Sequence, residues 1–204
     1  MDNQITSPRK VTVSGALGSG KSAVSKALAD RWQCERYYTG RAFRMLAKER
    51  GMTVLQINEI AAKDSSIDRE VDDIYRHLED VKADLVVDAH LAWHFMPNSF
   101  KVQLQIDPLV AAERVFQDKQ RDDRINEQNY ENVEEVAQAQ LQRRESNRQR
   151  WLDLYDVDID NPDNFDLIID TSELGIEHIV DIIERQFEAW HSGETITDVA
   201  VEQS

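Results

Sequence analysis

Apolar and polar positions along the chain follow two periods, and the changes between them mark the elements. Residues 1–9 are polar and contain Pro8, a short leader before a first strand over Lys10–Ser14. A helix is expected from Ala23 to Arg31 and a second strand from Cys34 to Tyr38. Thr39-Gly40 then opens a helix through about Arg50, closed by Gly51 at the usual C-terminal position. Val54, Leu55, Ile57, Ile60 and Ala61, then Ile67, Val71, Ile74, Leu78 and Val81, recur at helical spacing and predict two consecutive helices over residues 53–80. Asp64-Ser65-Ser66 separates them with residues suited to an N-cap.

Leu85-Val86-Val87-Asp88 is an unbroken apolar run ending in a carboxylate, the pattern of a buried parallel strand. Phe100, Val102, Leu104 and Ile106 alternate with Lys101, Gln103 and Gln105, a strand with one face partly wet. A helix follows from Pro108 to about Lys119, and Gln120–Tyr130 is a charged connector whose brevity predicts a small lid. Beyond it come a long helix over about Glu131–Tyr155, a fifth strand over Phe165–Asp170 and a last helix from about Gly175. That helix has Ile176, Ile179, Val180, Ile183 and Phe187 as its buried stripe. After Ser192 a disordered tail is expected. Strands alternating with helices predict an α/β three-layer sandwich around a five-stranded parallel sheet, with inserted helices over about 39–81 and a lid over about 120–148. Residues 1–191 are expected to form one domain.

The stretch Gly15-Ala16-Leu17-Gly18-Ser19-Gly20-Lys21-Ser22 fits G-x-x-x-x-G-K-[ST] between the first strand and first helix, and this makes the fold a P-loop one. Its glycines let backbone N–H groups turn inward around a triphosphate. Gly15, Gly18, Ser19, Gly20, Lys21, Ser22 and Ala23 are the expected contacts of ATP, Lys21 reaching the outer phosphates and the Ser22 hydroxyl ligating Mg²⁺. Asp88, at a strand end, is the candidate to hold a Mg²⁺-bound water opposite Ser22.

On the long helix, residues 133, 137, 141, 144, 148, 151 and 155 share one face at the helical period, which places Arg144 and Arg148 on the stripe expected to be buried. A buried guanidinium needs an anion, either a core carboxylate or a phosphate in a cleft, and phosphate is the preferred reading. Arg143 and Arg150 fall on another, solvated face. Thr39, Arg41 and Arg44 open a helix at the ligand edge of the sheet, where a second anion could dock, although Arg44 could equally be a surface residue. His90 and His94 have the i,i+4 spacing of helical metal ligands, but Leu91 stands where a metalloprotease has its glutamate. Asp156-Val157-Asp158-Ile159-Asp160 lacks the turn glycine and the bidentate glutamate of a calcium loop.

Composition narrows the partners. With 24 basic and 39 acidic residues the net charge is −15, so broad binding to nucleic acid or to anionic membrane is not expected, and local arginine clusters mark anion sites. Cys34 is the single cysteine and excludes an internal disulfide, which fits a reducing cytoplasm. No signal peptide and no apolar run of membrane-spanning length is apparent.

Thr39-Gly40-Arg41-Ala42-Phe43-Arg44 resembles the Thr-Gly-x-x-x-Arg segment of nucleoside monophosphate kinases, and the chain from Lys10 to about Phe187 is similar to their compact cytidylate-kinase-like family. Ala47–Met52, the arginine-rich Arg143–Arg148, Tyr155–Asp160 (a Tyr-Gly-Ile-Asp-Ile-Asp stretch in the family) and Asp170-Thr171-Ser172 extend the resemblance. It implies that Lys21 and Ser22 serve ATP and Mg²⁺, Arg44 the acceptor's phosphate, and Arg144 and Arg148 the migrating phosphoryl group. The implied reaction is ATP-dependent phosphoryl transfer to a nucleoside monophosphate, CMP or dCMP foremost; the sequence leaves the oligomeric state open, with a monomer the favoured expectation. Two departures lie on the acceptor side. The family's Glu-Gly-Arg, whose arginine is a second acceptor anchor, is here Asp88-Ala89-His90, and Arg41 stands where many relatives have aspartate. A kinase for another small acceptor, or a nucleotide-binding regulator without turnover, are the alternatives.

Overall fold

The computed structural model describes residues 7–61, 66–121 and 130–194. Part of the leader, the Asp64-Ser65 part of the inter-helix cap, most of the proposed lid connector and most of the expected tail lie outside them. The fold divides into two compact units, one built from the chain up to Ser14 with Ser25–Lys101, the other from Gly15–Val24 with the chain from Val102 onward.

In the first unit, β1 (Lys10–Gly15) runs up to the loop, and α1 (Lys21–Trp32) contributes Leu28, Ala29 and Trp32 to the core. β2 (Glu35–Tyr38) is followed directly by α2 (Thr39–Glu49), which ends before Gly51 at φ +64°. α3 (Val54–Ala61) starts from a reciprocal cap in which Thr53 Oγ1 accepts from the Gln56 N–H and the Gln56 side chain accepts from the Thr53 N–H. α4 (Ser66–Asp80) buries Ile67, Val71, Tyr75 and Leu78 on one face. β3 (Leu85–Asp88) is buried at all four residues, as its apolar run predicts. A short helix that the periodicity did not reveal, α5 (Ala92–Phe95), precedes β4 (Phe100–Gln105).

β4, whose residues from Val102 onward belong to the second unit, buries Phe100, Val102 and Leu104 and leaves Gln105 exposed, the half-wet alternation expected of it. α6 (Pro108–Arg121) is capped by Asp107, whose Oδ1 accepts from the Leu109 and Val110 N–H groups. α7 (Val133–Tyr155) starts at Asn132, whose side chain accepts from the Glu135 N–H. A 3₁₀ turn (Pro162–Asn164) leads to β5 (Leu167–Asp170), two residues shorter than expected, and α8 (Ile176–Ser192) follows.

The five strands make one sheet in the order β2-β3-β1-β4-β5. β2 and β1 both pair with β3 in parallel, Tyr38 and Val13 opposite Asp88, and β4 pairs with β5 in parallel, Gln105 opposite Asp170. A parallel sheet with flanking helices is the expected fold, and its ligand edge lies where the strands end.

Candidate phosphoryl-transfer site

The loop between β1 and α1 folds around its own carbonyl oxygens. Ala16 O accepts from the Ser19 N–H at 3.3 Å, from Ser19 Oγ at 2.8 Å and from Lys21 Nζ at 3.2 Å, so the loop closes on this carbonyl. The helix closes in at once, the Ala23 and Val24 N–H groups both reaching Gly20 O. Gly15 has φ +146°, and a Cβ there would stand 2.4 Å from Leu104 O, so no larger residue fits. Gly20, at φ +84°, has nothing within 4 Å of where a Cβ would be. The side of its Cα is therefore open at the N-terminus of α1.

Two residues that the spacing arguments did not single out tether this loop. Thr171, fully buried just past β5, donates from Oγ1 to Ser19 O at 3.1 Å and to Gln105 O at 2.9 Å. Arg114 on α6 donates through Nη2 to Thr171 O and Ser172 O, both at 2.9 Å, and its Nη1 lies 3.5 Å from Gly18 O. Asp170 Oδ1 in turn accepts from the Ser172 N–H and hydroxyl. Thr171 falls in a segment the family resemblance includes; Arg114 sits in an ordinary amphipathic helix and carries no sequence signal.

The arginines of α7 correct one expectation. The predicted stripe is not buried along its length: Leu141 is 54% exposed, Arg144 53% and Arg148 33%, and only Val136 and Trp151 are buried on this helix. The guanidiniums meet carboxylates instead. Arg148 grips Asp158 with a fork, Nε to Oδ1 at 2.9 Å and Nη2 to Oδ2 at 2.8 Å, and Arg144 Nη2 donates to Asp160 Oδ1 at 2.6 Å. The Arg148 hydrogen bonds, aided by the Asp160 N–H, hold the Asp158 carboxyl down at about 2, and Arg148 is correspondingly pushed up. The chain can return to these carboxylates because Asp156 ends α7 in the left-handed region, at φ 55°, where the family's stretch has glycine.

In the first unit, Asp88 is buried and its Oδ2 accepts from Arg36 Nη2 at 2.6 Å, with Ser25 Oγ at 3.4 Å. Arg36 escaped the sequence argument because its partner sits on a strand 52 residues away. Arg41 turns back along β2, its guanidinium 3.9 Å over the Tyr37 ring and bonded to Glu35 Oε2 at 3.2 Å and Arg36 O at 3.1 Å. Arg44 is exposed, donates to the Tyr38 hydroxyl and lies 5.1 Å from the centre of that ring. Thr39 Oγ1 is 3.4 Å from the hydroxyl of Tyr75, whose burial pushes its pKa up to about 12. The His90 carbonyl accepts from Ser14 Oγ and from Trp93 Nε1, both at 3.0 Å, while the His94 ring packs edge-on against Phe95. Among the described residues no three His, Cys, Asp or Glu side chains gather into a metal-binding group.

Residues 11–138 match the family model of an AAA domain. The chain is 36% identical to the cytidylate kinase of Pyrococcus furiosus over 85% of each chain. The chain belongs to the cytidylate-kinase-like family of P-loop kinases. The cytidylate kinase of Methanosphaera stadtmanae is 30% identical over 87% of this chain and 97% of its own. Among solved structures, shikimate kinase from Bacteroides thetaiotaomicron aligns with a TM-score of 0.60 at 14% identity, covering 88% of this chain and 98% of that one, a likeness of fold. In this kinase family member the loop, Arg114 and Thr171 come together in one unit, and Arg36, Tyr38, Arg44 and Asp88 come together in the other.

Proposed function

We propose that this chain transfers the γ-phosphoryl group of ATP to a nucleoside monophosphate, with CMP or dCMP as the acceptor. The supporting observation is the loop itself, a G-x-x-x-x-G-K-[ST] turn between strand and helix with Lys21 Nζ on a loop carbonyl, in a chain whose relatives at 30–36% identity include several cytidylate kinases. Residues 1–191 would act as a single kinase domain, with acceptor-side helices over about 39–81 and a lid over about 120–148. A monomer in the cytoplasm is the setting we infer.

An acceptor phosphate is already an anionic nucleophile, so no general base is needed. An acceptor oxygen bonds to the γ-phosphorus as the bond to the β–γ bridging oxygen breaks, leaving ADP and the nucleoside diphosphate. Catalysis is then positioning and charge neutralisation. Gly15–Ala23 would cradle the triphosphate, with Lys21 exchanging Ala16 O for the outer phosphates. Thr39, Arg41, Arg44, Asp88 and His90 would line the acceptor side, Arg44 binding its phosphate. Arg144 and Arg148 would meet the migrating group. Ser22 would ligate Mg²⁺ and Asp88 would hold one of its waters; when bound, the ion supplies charge neutralisation at the β and γ phosphates.

The altered anchors, Arg41 and His90, keep a kinase for another small acceptor in contention. Coupled ADP release measured across CMP, dCMP, UMP and AMP distinguishes the two. Turnover that depends on CMP or dCMP is expected; ADP release with none of the four contradicts the reading.

A further inference from the structure

His90 is a poor phosphate anchor, since an imidazole cannot form the two-pronged fork that a guanidinium makes on phosphate. Arg36 offers what position 90 lacks. Its guanidinium is oriented from two sides, by Asp88 Oδ2 on Nη2 at 2.6 Å and by the Tyr38 ring, whose centre lies 4.8 Å from Cζ. Its Nε is buried and has no hydrogen-bond partner among the described residues, a costly state for a charged donor. Arg44, the arginine that the resemblance assigns to the acceptor phosphate, rests on the same ring, with Cζ 5.1 Å from its centre. Arg44 has no carboxylate partner among the described residues; its bond goes to the neutral Tyr38 hydroxyl. Two guanidiniums on one ring, of which only Arg36 is bonded to a carboxylate among the described residues, form a cationic pair in a chain of net charge −15. That charge suits a phosphate monoester dianion, which two forks can hold from two directions.

We propose that Arg36 is a specificity-determining anchor for the acceptor's phosphate, oriented by Asp88 and neighboured by Arg44 at the Tyr38 ring, and that it replaces the arginine missing at position 90. The proposal rests on the nucleoside monophosphate kinase reading above and adds a residue to it. Asp88, on this view, is a positioning residue for Arg36.

The test is steady-state kinetics of the full chain with ATP and CMP. Arg36→Lys keeps a cation beside Asp88 but loses Nε and the planar fork, and should raise the KM for CMP about tenfold or more, with the KM for ATP unchanged. Arg36→Met should raise it further, and adding His90→Arg to Arg36→Met should recover part of the loss. Should Arg36→Met not fold, Arg36→Lys carries the test. An unchanged KM for CMP in the lysine variant, equal increases for CMP and ATP, or no recovery in the double variant overturns the proposal while the kinase reading stands. A parent enzyme that releases no ADP with CMP, dCMP, UMP or AMP overturns the kinase reading, and this proposal with it.

Discussion

If Arg148 neutralises the migrating phosphoryl group, Arg148→Met should act on kcat. The side chain is held away from the helix by a fork on Asp158, with both N···O distances below 3 Å, so its guanidinium is pre-oriented rather than free to search. Removing an arginine that stabilises a phosphoryl transition state costs about 10³-fold or more in rate. Asp158→Asn keeps the volume but sets an amide N–H₂ against the guanidinium, which breaks the fork and leaves the charge in place. Loss of orientation alone should lower kcat about 10- to 100-fold, and Asp158→Glu should recover part of it. Arg150, which lies over Trp151 on another face, is the control, and Arg150→Met should stay within about twofold. The assay is coupled ADP release at saturating ATP and acceptor, with both KM values measured for each variant and melting followed alongside. Equal losses for Arg148→Met and Arg150→Met, or a loss confined to the KM for ATP, would refute the reasoning.

Lys21→Ala removes a loop cation that donates to the Ala16 carbonyl and leaves the apolar core alone, so turnover should fall about 10²- to 10³-fold with little change in melting temperature; retained activity or a collapse of stability would contradict this. Because Arg148 depresses the Asp158 carboxyl to about 2 in the folded state, the pair's contribution to stability should be complete above the unfolded carboxyl pKa, near 4, and lost as pH falls through about 2. Carbon-13 carboxyl NMR should place the Asp158 midpoint near pH 2, whereas a midpoint near 4 means that the fork is open in solution. Asp156→Gly relieves left-handed strain at the end of α7 but makes the unfolded chain more flexible, a net gain of about 0.5 kcal/mol and about 1–2 °C in Tm; a lower Tm would show that the Asp156 side chain contributes more than the strain removes.

What could be read in advance was local. The apolar run Leu85–Asp88 is the observed β3 residue for residue, and the loop motif sits between strand and helix where its pattern places it. Periodicity identified α3 and α4 because each carries a full apolar stripe, and it missed α5 because a four-residue helix shows no period. The α7 stripe misled for a different reason. A helical period says which residues share a face, not how much of that face is covered, and Leu141, Arg144 and Arg148 occupy a stretch of helix that is largely uncovered. The partners of Arg36, Arg114 and Thr171 come from strand register and backbone carbonyls brought together by topology, which no local spacing encodes.

The most direct test of phosphoryl transfer to a nucleoside monophosphate follows the phosphorus itself. The purified chain is incubated with ATP labelled at the γ-phosphorus, Mg²⁺ and CMP, and the products are separated. The label is expected in the terminal phosphate of CDP, formed in step with ADP, and Lys21→Ala should abolish nearly all of it. Label that remains in ATP, or that is released as inorganic phosphate at a rate indifferent to CMP, dCMP, UMP and AMP alike, would contradict the claim.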